Sequence, residues 1–520
     1  MRHRIGLIYV PGALPFFESF GSLPTDIIRE DGLVDGKPAS EILDLLIIPG
    51  GSLVESQSIT DNIKKEITRM ADVDKFVLGI CSGFQVLAKA TDVGRLSSVP
   101  ITHRGLGLLD VEFEPLICTD SVSATVVGKS FMTDSLGKTV TGFHCHTYGK
   151  ITSYTKARPI LVSHIKRVNY RDDPQDFVSG FTNNEGNVVG ILSHGLLEEN
   201  PVIIQSVMKS LDISNQELQE IKNANSRLLL KLKREVGIST GVQSELNSSQ
   251  QAATPVLLFT TATGSGSGKT FIVTGVAGAL KKRGFKVGLL KVGGDIRDIV
   301  PALYLVKEPI NSYSSIKVGN SGWASPIDAV DTASKNYDFL LIEGAMGPFT
   351  GFLNETVERP ASTAEIAAVL GVPTVLVVAC DKTGIEGAVI TGLNYVNFMK
   401  ALGINVVGVI LNKFRTSYIT PEIKHSLKSA FRNLGVGLLG ILPRINLEGR
   451  GAIPEIEIRY DEFGAKVLAT VEQSLNLDLL MRLAESPVRS SIDCGTVLER
   501  FKLLLGNGCV LDIPKGASEC

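Results

Sequence analysis

The chain has no basic excess: 52 Lys and Arg stand against 54 Asp and Glu, for a net charge of −2. A surface that neutralises nucleic-acid phosphates needs such an excess, so no nucleic-acid partner is expected. No apolar run approaches the ~20 residues that span a bilayer, so no membrane partner is expected either. The apolar stretch after Met1-Arg2-His3-Arg4 is short and runs into Pro11-Gly12, so it reads as a first strand rather than an export signal. A cytoplasmic protein is the expectation. The cysteines (81, 118, 145, 380, 494, 509 and 520) are odd in number and form no CxxC pair. That pattern fits free thiols in a reducing compartment, not a disulfide framework or a zinc site.

What is present fits α/β architecture. The 520 residues include 44% apolar residues, 20% charged residues and 52 glycines, enough for about three domains at roughly 150 residues each. In residues 1–212, short runs of branched aliphatics such as Ile5–Val10, Leu43–Ile48 and Phe76–Ile80 end in Gly or Pro, as buried parallel strands do. Ile59, Ile63, Ile67 and Met70 recur at the spacing of one helix face. A charged helical connector and then a Ser-, Gln-, Asn- and Thr-rich linker occupy 213–254. Residues 255–485 repeat the strand–helix alternation, with strands expected at Val256–Thr260, Val287–Val292, Phe339–Ile342, Thr374–Val378 and Val406–Leu411. The expected fold is two doubly wound parallel-sheet domains, followed by an extension at 486–520 with one amphipathic helix.

Two motifs carry chemistry. Cys81 lies in Gly79-Ile80-Cys81-Ser82-Gly83-Phe84-Gln85, between a buried strand and the start of a helix. A sharp strand-to-helix turn exposes a nucleophile and sets its sulfur at a helix N-terminus, where thiolate is favoured. His194, after another buried strand, is placed to act as its base. Gly50 and Gly51, after Leu45–Ile48, offer backbone N–H groups to a tetrahedral oxyanion. His144, Cys145 and His146 offer three metal donors in three residues without a second cluster, so His146 reads as a pocket residue and not as a zinc ligand.

The second motif is Gly264-Ser265-Gly266-Ser267-Gly268-Lys269-Thr270, between the Val256–Thr260 strand and a helix expected at Phe271–Arg283. Its backbone N–H groups converge on phosphate oxygens, Lys269 adds charge, and the Thr270 hydroxyl suits Mg²⁺. Thr263 stands where the strict pattern has its first glycine, so this is a variant loop. Glu343, at the end of Phe339–Ile342, is a second Mg²⁺ ligand in this reading. The segment from Lys291 to Asp298 adds a cation and two carboxylates at another strand end.

The elbow, Pro49-Gly50-Gly51, His103-Arg104-Gly105-Leu106-Gly107-Leu108-Leu109 and Ser193-His194-Gly195-Leu196 resemble the glutamine amidotransferase domain of cobyrinate and cobyrate amide synthases. Glu343-Gly344-Ala345-Met346-Gly347, Ser362–Ala367, Gly408–Lys413 and Leu439–Arg444 resemble the synthetase domain of the cobyrinate a,c-diamide synthase family. The resemblance implies Cys81 as nucleophile, His194 as base, and Gln85 and Gly51 as holders of glutamine and its oxyanion. It implies ATP and Mg²⁺ at the phosphate loop, with Lys291 and Asp295 on the acceptor and phosphate side. The implied partners are small molecules (ATP, glutamine and a tetrapyrrole acid), and a homodimer is compatible with it.

Three departures are visible. The family sets the synthetase domain first, and this chain reverses the order. Leu196 stands where many triad amidotransferases have Glu, so the third triad acid is expected to be absent. Thr350 replaces an Asp of the family, and Gly294-Asp295-Ile296 replaces Pro-Asp-Tyr, both near the acceptor side. The implied reaction is ATP- and glutamine-dependent amidation of corrinoid carboxylates through an acyl phosphate. Cobyrate, Ni-sirohydrochlorin or another acid as acceptor, a silent nucleotide-dependent regulator, and a chromosome-partitioning type of ATPase are the rival readings.

Overall fold

Ile5–Ile8, Leu45–Ile48 and Phe76–Ile80 are buried almost throughout, and each pairs with its neighbour in parallel. In the computed structural model these runs are adjacent interior strands of a larger sheet. The structure describes residues 2–9, 18–51, 59–94, 99–169, 171–235, 254–319, 321–353, 362–381, 383–415, 420–445, 459–487 and 494–506. They form two compact units whose bodies fall on either side of Ser248.

Among the described residues, the first unit holds a nine-stranded sheet. Its parallel part runs Val188–Ile191, Phe76–Ile80, Leu45–Ile48, Ile5–Ile8, Asp26–Ile28. An antiparallel flank of Arg171–Thr182, Arg158–Val168, Ser121–Val126 and Thr139–Phe143 extends it. The flank was not expected from sequence, because Ser121–Val126 and Thr139–Phe143 mix buried and exposed positions and Arg171–Thr182 is buried only at its end, so it lacks the dense apolar signature of the parallel set. The helix Asp61–Asp72 buries Ile63, Ile67 and Met70, with Thr60 capping the Ile63 amide. Capping of this kind satisfies an otherwise orphaned N–H.

The expected connector is in part a piece of the first unit. Its helix, Asn215–Glu235, buries Ile221 and Leu232, and Asn225 donates to the Pro24 carbonyl at 2.8 Å. The Ser- and Gln-rich linker lies outside the described residues.

Among the described residues, the second unit is built on seven parallel strands in the order Ser315–Ile316, Val287–Val292, Phe339–Glu343, Val256–Thr261, Thr374–Ala379, Val406–Phe414, Gly437–Pro443. Every strand expected there is present. Val256–Thr261 sits between Phe339–Glu343 and Thr374–Ala379, so the loop after it opens at the carboxyl edge where such sheets bind ligands. The helix Cys494–Gly506 belongs to this core: Val497 is fully buried, and Phe501 packs 4.5 Å from the ring of Phe352.

Candidate active sites

In the first unit, strand Phe76–Ile80 ends at Ile80 and helix Ser82–Leu87 begins at Ser82, leaving one residue to turn the chain. Cys81 makes the turn at φ 51°, ψ −109°, a region that side-chain-bearing residues rarely occupy. The turn requires glycine two residues on, since a Cβ on Gly83 would stand 2.2 Å from the Ile48 carbonyl oxygen. Cys81 N donates to Ile191 O at 2.8 Å, fastening the elbow to the next strand. Its sulfur lies 3.8 Å from the Cys145 carbonyl oxygen.

His194 follows the Val188–Ile191 strand, whose Ile191 pairs with Ile80, so base and nucleophile leave adjacent strand ends. The imidazole stacks on Phe143 at 5.3 Å, and it and Cys81 both lie against Gly50. Its Nδ1 lies 2.8 Å from Oε2 of Glu18, and Oε1 of Glu18 accepts from Gly195 N at 2.7 Å. The expectation of a missing third acid is thereby corrected. A carboxylate does orient the histidine, supplied from the far N-terminal end of the chain instead of position 196. Burial opposes the charged ring, but Glu18 and Cys81 outweigh it and hold the His194 pKa well above its ordinary value. Glu198, exposed at the surface near Glu18, is pushed up to about 7 by desolvation and by the Glu18 charge.

Gly50 leaves the Leu45–Ile48 strand directly against this pair. A Cβ there would stand 2.6 Å from His194 Cε1 and 3.2 Å from Cys81 Cβ. Gly51 follows it, half-buried. Gln85 donates through Nε2 to Tyr148 O at 3.3 Å, while its buried Oε1 accepts no hydrogen bond. A cavity of about 350 Å³ opens beside Ser82 and Gln85 and is lined by Lys64, His103 and Arg104. Its size and basic rim suit a small molecule with a carboxylate. His144 and His146 are both buried near the elbow, with Nδ1 of one 2.7 Å from Nε2 of the other.

In the second unit, the phosphate loop joins strand Val256–Thr261 to helix Lys269–Lys282. Gly264, Gly266 and Gly268 all have positive φ, at 75°, 75° and 87°. At Gly268 the close approach is equally decisive, because a Cβ would meet Asn412 Nδ2 at 2.2 Å. That amide donates to Ser267 O at 2.8 Å, and Lys413 Nζ donates to Gly266 O at 2.7 Å and pairs with Asp381 at 3.2 Å. Thr263, in place of the first glycine, is a strut: its hydroxyl lies 2.8 Å from Ser267 Oγ and accepts from Ala379 N at 3.2 Å. The Ser265 end of the loop is exposed, and Lys269 is buried.

Thr270 Oγ1 donates to Glu343 Oε1 at 2.8 Å, so the two expected Mg²⁺ ligands do meet. Glu343 Oε2 is buried and has no hydrogen-bond partner. An orphaned carboxylate oxygen beside a Thr hydroxyl at a phosphate loop fits a hard divalent cation. Burial pushes the Glu343 pKa up to about 7, with Lys291 pulling it down and Asp298 pushing it up. Lys291 Nζ is fully enclosed, 2.6 Å from Asp298, 3.0 Å from Gly344 O and 4.0 Å from Glu343. Asp295 is gripped in a two-point pair by Arg297, at 2.8 Å and 3.0 Å. Asp298, the second carboxylate of that segment, is the one that pairs with Lys291. It and Asp295 both follow the same strand, and only the short 3₁₀ turn Ile296–Ile299 decides which one faces inward.

Residues 14–202 match the CobB/CobQ-like glutamine amidotransferase domain, and residues 258–448 match the CobQ/CobB/MinD/ParA nucleotide binding domain. Hydrogenobyrinate a,c-diamide synthase of Mycobacterium tuberculosis (strain ATCC 25618 / H37Rv) is 35% identical over 237 residues, 45% of this chain and 47% of that protein. Cobyrinate a,c-diamide synthase of Streptococcus sanguinis is 30% identical over 236 residues, 43% and 48% of the two chains. Cobyric acid synthase of Dehalococcoides mccartyi is 29% identical over 194 residues, 35% and 36% of the two. The aligned parts thus span about half the length of the a,c-diamide synthases and less of the cobyric acid synthase.

Proposed function

The chain carries an amidotransferase domain followed by a nucleotide-binding domain, the two domains of the cobyrinate a,c-diamide synthase family, and on that premise we propose a glutamine-hydrolysing amide synthase that acts on corrinoid carboxylates. The acceptor this reading favours is cobyrinate, converted to its a,c-diamide. The observation that carries it is the Cys81–His194–Glu18 constellation in the same chain as a phosphate loop with Thr270 and Glu343 facing each other.

In the first unit, His194 takes the thiol proton and Cys81 attacks the glutamine side-chain amide. Glu18 stabilises the imidazolium that forms, and the Gly50 and Gly51 N–H groups face the developing oxyanion. His194 returns the proton to the departing ammonia, and water then hydrolyses the glutamyl thioester. In the second unit, the loop amides and Lys269 hold the ATP phosphates. Thr270 and Glu343 would hold Mg²⁺, which neutralises phosphate charge when bound. The acceptor carboxylate attacks the γ-phosphorus to give an acyl phosphate and ADP. Ammonia displaces phosphate from it, leaving the amide. Lys291, neutralised on one side by Asp298, is positioned to counter charge near the transferred phosphoryl group.

The test is incubation of the full chain with ATP, Mg²⁺, glutamine and cobyrinate, following acceptor mass, with Cys81→Ala in parallel. Two acid groups replaced by amides, with the variant active only on free ammonia, is the expected result. Glutamine hydrolysis with an unchanged acceptor would discard cobyrinate and turn attention to cobyrate, for which the likeness to cobyric acid synthase speaks.

A further inference from the structure

Cys118 and His146 face each other across a short antiparallel bridge, exchanging N–H···O bonds of 3.0 Å in both directions. Side chains opposite one another in such a pair share a face. Residues two apart on an extended chain share it too. His144 therefore joins them, and one donor atom from each of the three lies within 4.8 Å of the others. All three residues are buried, at 1%, 2% and 0% exposure for Cys118, His146 and His144. The Phe177 ring closes over both imidazoles edge to face, and Val122, Ile165 and Val168 surround the cysteine.

The hydrogen bonds fix which ring nitrogens point inward. His146 Nδ1 lies 3.2 Å from the Leu116 carbonyl, which can only accept, so Nδ1 carries the hydrogen and Nε2 offers its lone pair. That Nε2 is 2.7 Å from His144 Nδ1. On its outer side, His144 Nε2 has Ser163 Oγ at 3.0 Å and Ser193 Oγ at 3.2 Å, hydroxyls able to accept from it, and Ser163 is in turn 2.6 Å from Ser179. In the tautomer with both outer nitrogens donating, two lone pairs converge on one point, and a cation held between them satisfies both. A shared proton would satisfy the imidazoles and leave the Cys118 sulfur idle. A metal ion uses all three donors, and the carbonyl and serines become the outer partners that orient metal-bound histidines.

We propose that Cys118 Sγ, His144 Nδ1 and His146 Nε2 form a zinc site within the amidotransferase unit. A thiolate with two imidazoles suits Zn²⁺ and is unsuited to Mg²⁺ or Ca²⁺. Zinc bonds of about 2.0–2.1 Å to nitrogen and about 2.3 Å to sulfur need the ring nitrogens to part by roughly half an ångström and the sulfur to draw in. The expectation that His144-Cys145-His146 lacks a further cluster fails because the third donor comes from 26 positions earlier and is not Cys145. The ion would brace the ribbon whose Cys145 carbonyl faces the Cys81 sulfur and whose Tyr148 carbonyl holds Gln85.

The test is independent of the acceptor and of amidation. The full chain, prepared without a histidine tag, is analysed for zinc by elemental mass spectrometry and reloaded with Co²⁺. One ion per chain is expected, with the visible bands of a tetrahedral cobalt site and a thiolate-to-cobalt charge-transfer band. Cys118→Ser removes the charge-transfer band, His146→Gln abolishes stoichiometric binding, and Cys380→Ser changes neither. Circular dichroism establishes that each variant is folded. Wild-type protein that binds neither Zn²⁺ nor Co²⁺ stoichiometrically overturns the proposal without reference to any variant. So does a charge-transfer band that survives Cys118→Ser.

Discussion

Glu18 lies 2.8 Å from Nδ1 of His194 although 176 positions separate them in the chain. The contact converts a cysteine–histidine pair into a three-residue relay. It also sets a pH dependence. The folded pKa of His194 is held above its unfolded value despite burial, chiefly by the Glu18 charge. The stabilisation from its bound proton is complete below about pH 6.5 and is lost as pH rises through the raised folded value. Glu18→Gln is therefore expected to be most destabilising near pH 6, with the difference from wild type narrowing toward high pH. Glutamine hydrolysis should fall with it. Thermal midpoints across pH check this, and a difference that grows with pH would contradict it.

Glu198 gives the opposite expectation. Its pKa is raised to about 7 by desolvation first and Glu18 second, although the residue reaches the surface, so the folded state holds a proton that the unfolded state releases nearer 4.5. Stability from this group is full below about pH 4.5 and declines up to about pH 7. Glu198→Gln should raise the thermal midpoint above pH 7 and leave it unchanged at pH 4. A uniform shift at both pH values would assign the effect to packing.

Gly50→Ala inserts a methyl 2.6 Å from the His194 ring. The backbone and the ring cannot both stay in place, and a displacement near 1 Å at a reacting pair costs on the order of 100-fold in rate. Glutaminase kcat is expected to fall by that order, with ammonia-dependent synthesis retained. Parallel assays with glutamine and with ammonium chloride separate the two.

Lys291→Met leaves the buried Glu343 and the half-buried Asp298 without their cation, and the expected loss is up to about 3 kcal/mol. Adding Asp298→Asn should recover part of it, because the uncompensated charge goes too. Chemical denaturation of single and double variants measures the coupling. Simple additivity would mean that the pair does not act as a unit.

Binding of Mg-nucleotide should expel a proton from Glu343, whose pKa of about 7 leaves it half protonated at neutral pH. Roughly half a proton is expected to leave per site at pH 7, rising toward one below pH 6 and vanishing above pH 8. Calorimetry in buffers of different ionisation heat reads this directly. Glu343→Gln should abolish both the release and the Mg²⁺ requirement for tight binding, and release that persists in the variant would point to another group.

Sequence alone marked most of the parallel strands of both units, the elbow at Cys81, the histidine at 194 and the phosphate loop. Each depends on a local pattern: a dense aliphatic run, or glycines where the chain turns sharply or approaches another backbone. Such constraints act over a few residues and leave their mark in the sequence. The antiparallel flank lacked that mark because Ser121–Val126 is buried on alternate positions and Arg171–Thr182 only at its end. The helices Asn215–Glu235 and Cys494–Gly506 were read as helical, but nothing in their periodicity showed that they are packed into the cores.

Partnership across long sequence separations belonged to the fold. Only chain folding brings Glu18 to His194, Cys118 to His146, and Asp298 rather than Asp295 to Lys291. A carboxylate or thiol has the same local signature whether it meets a cation or water. The partner is chosen by which strand ends the sheet order sets side by side, and in a buried site that choice fixes its charge.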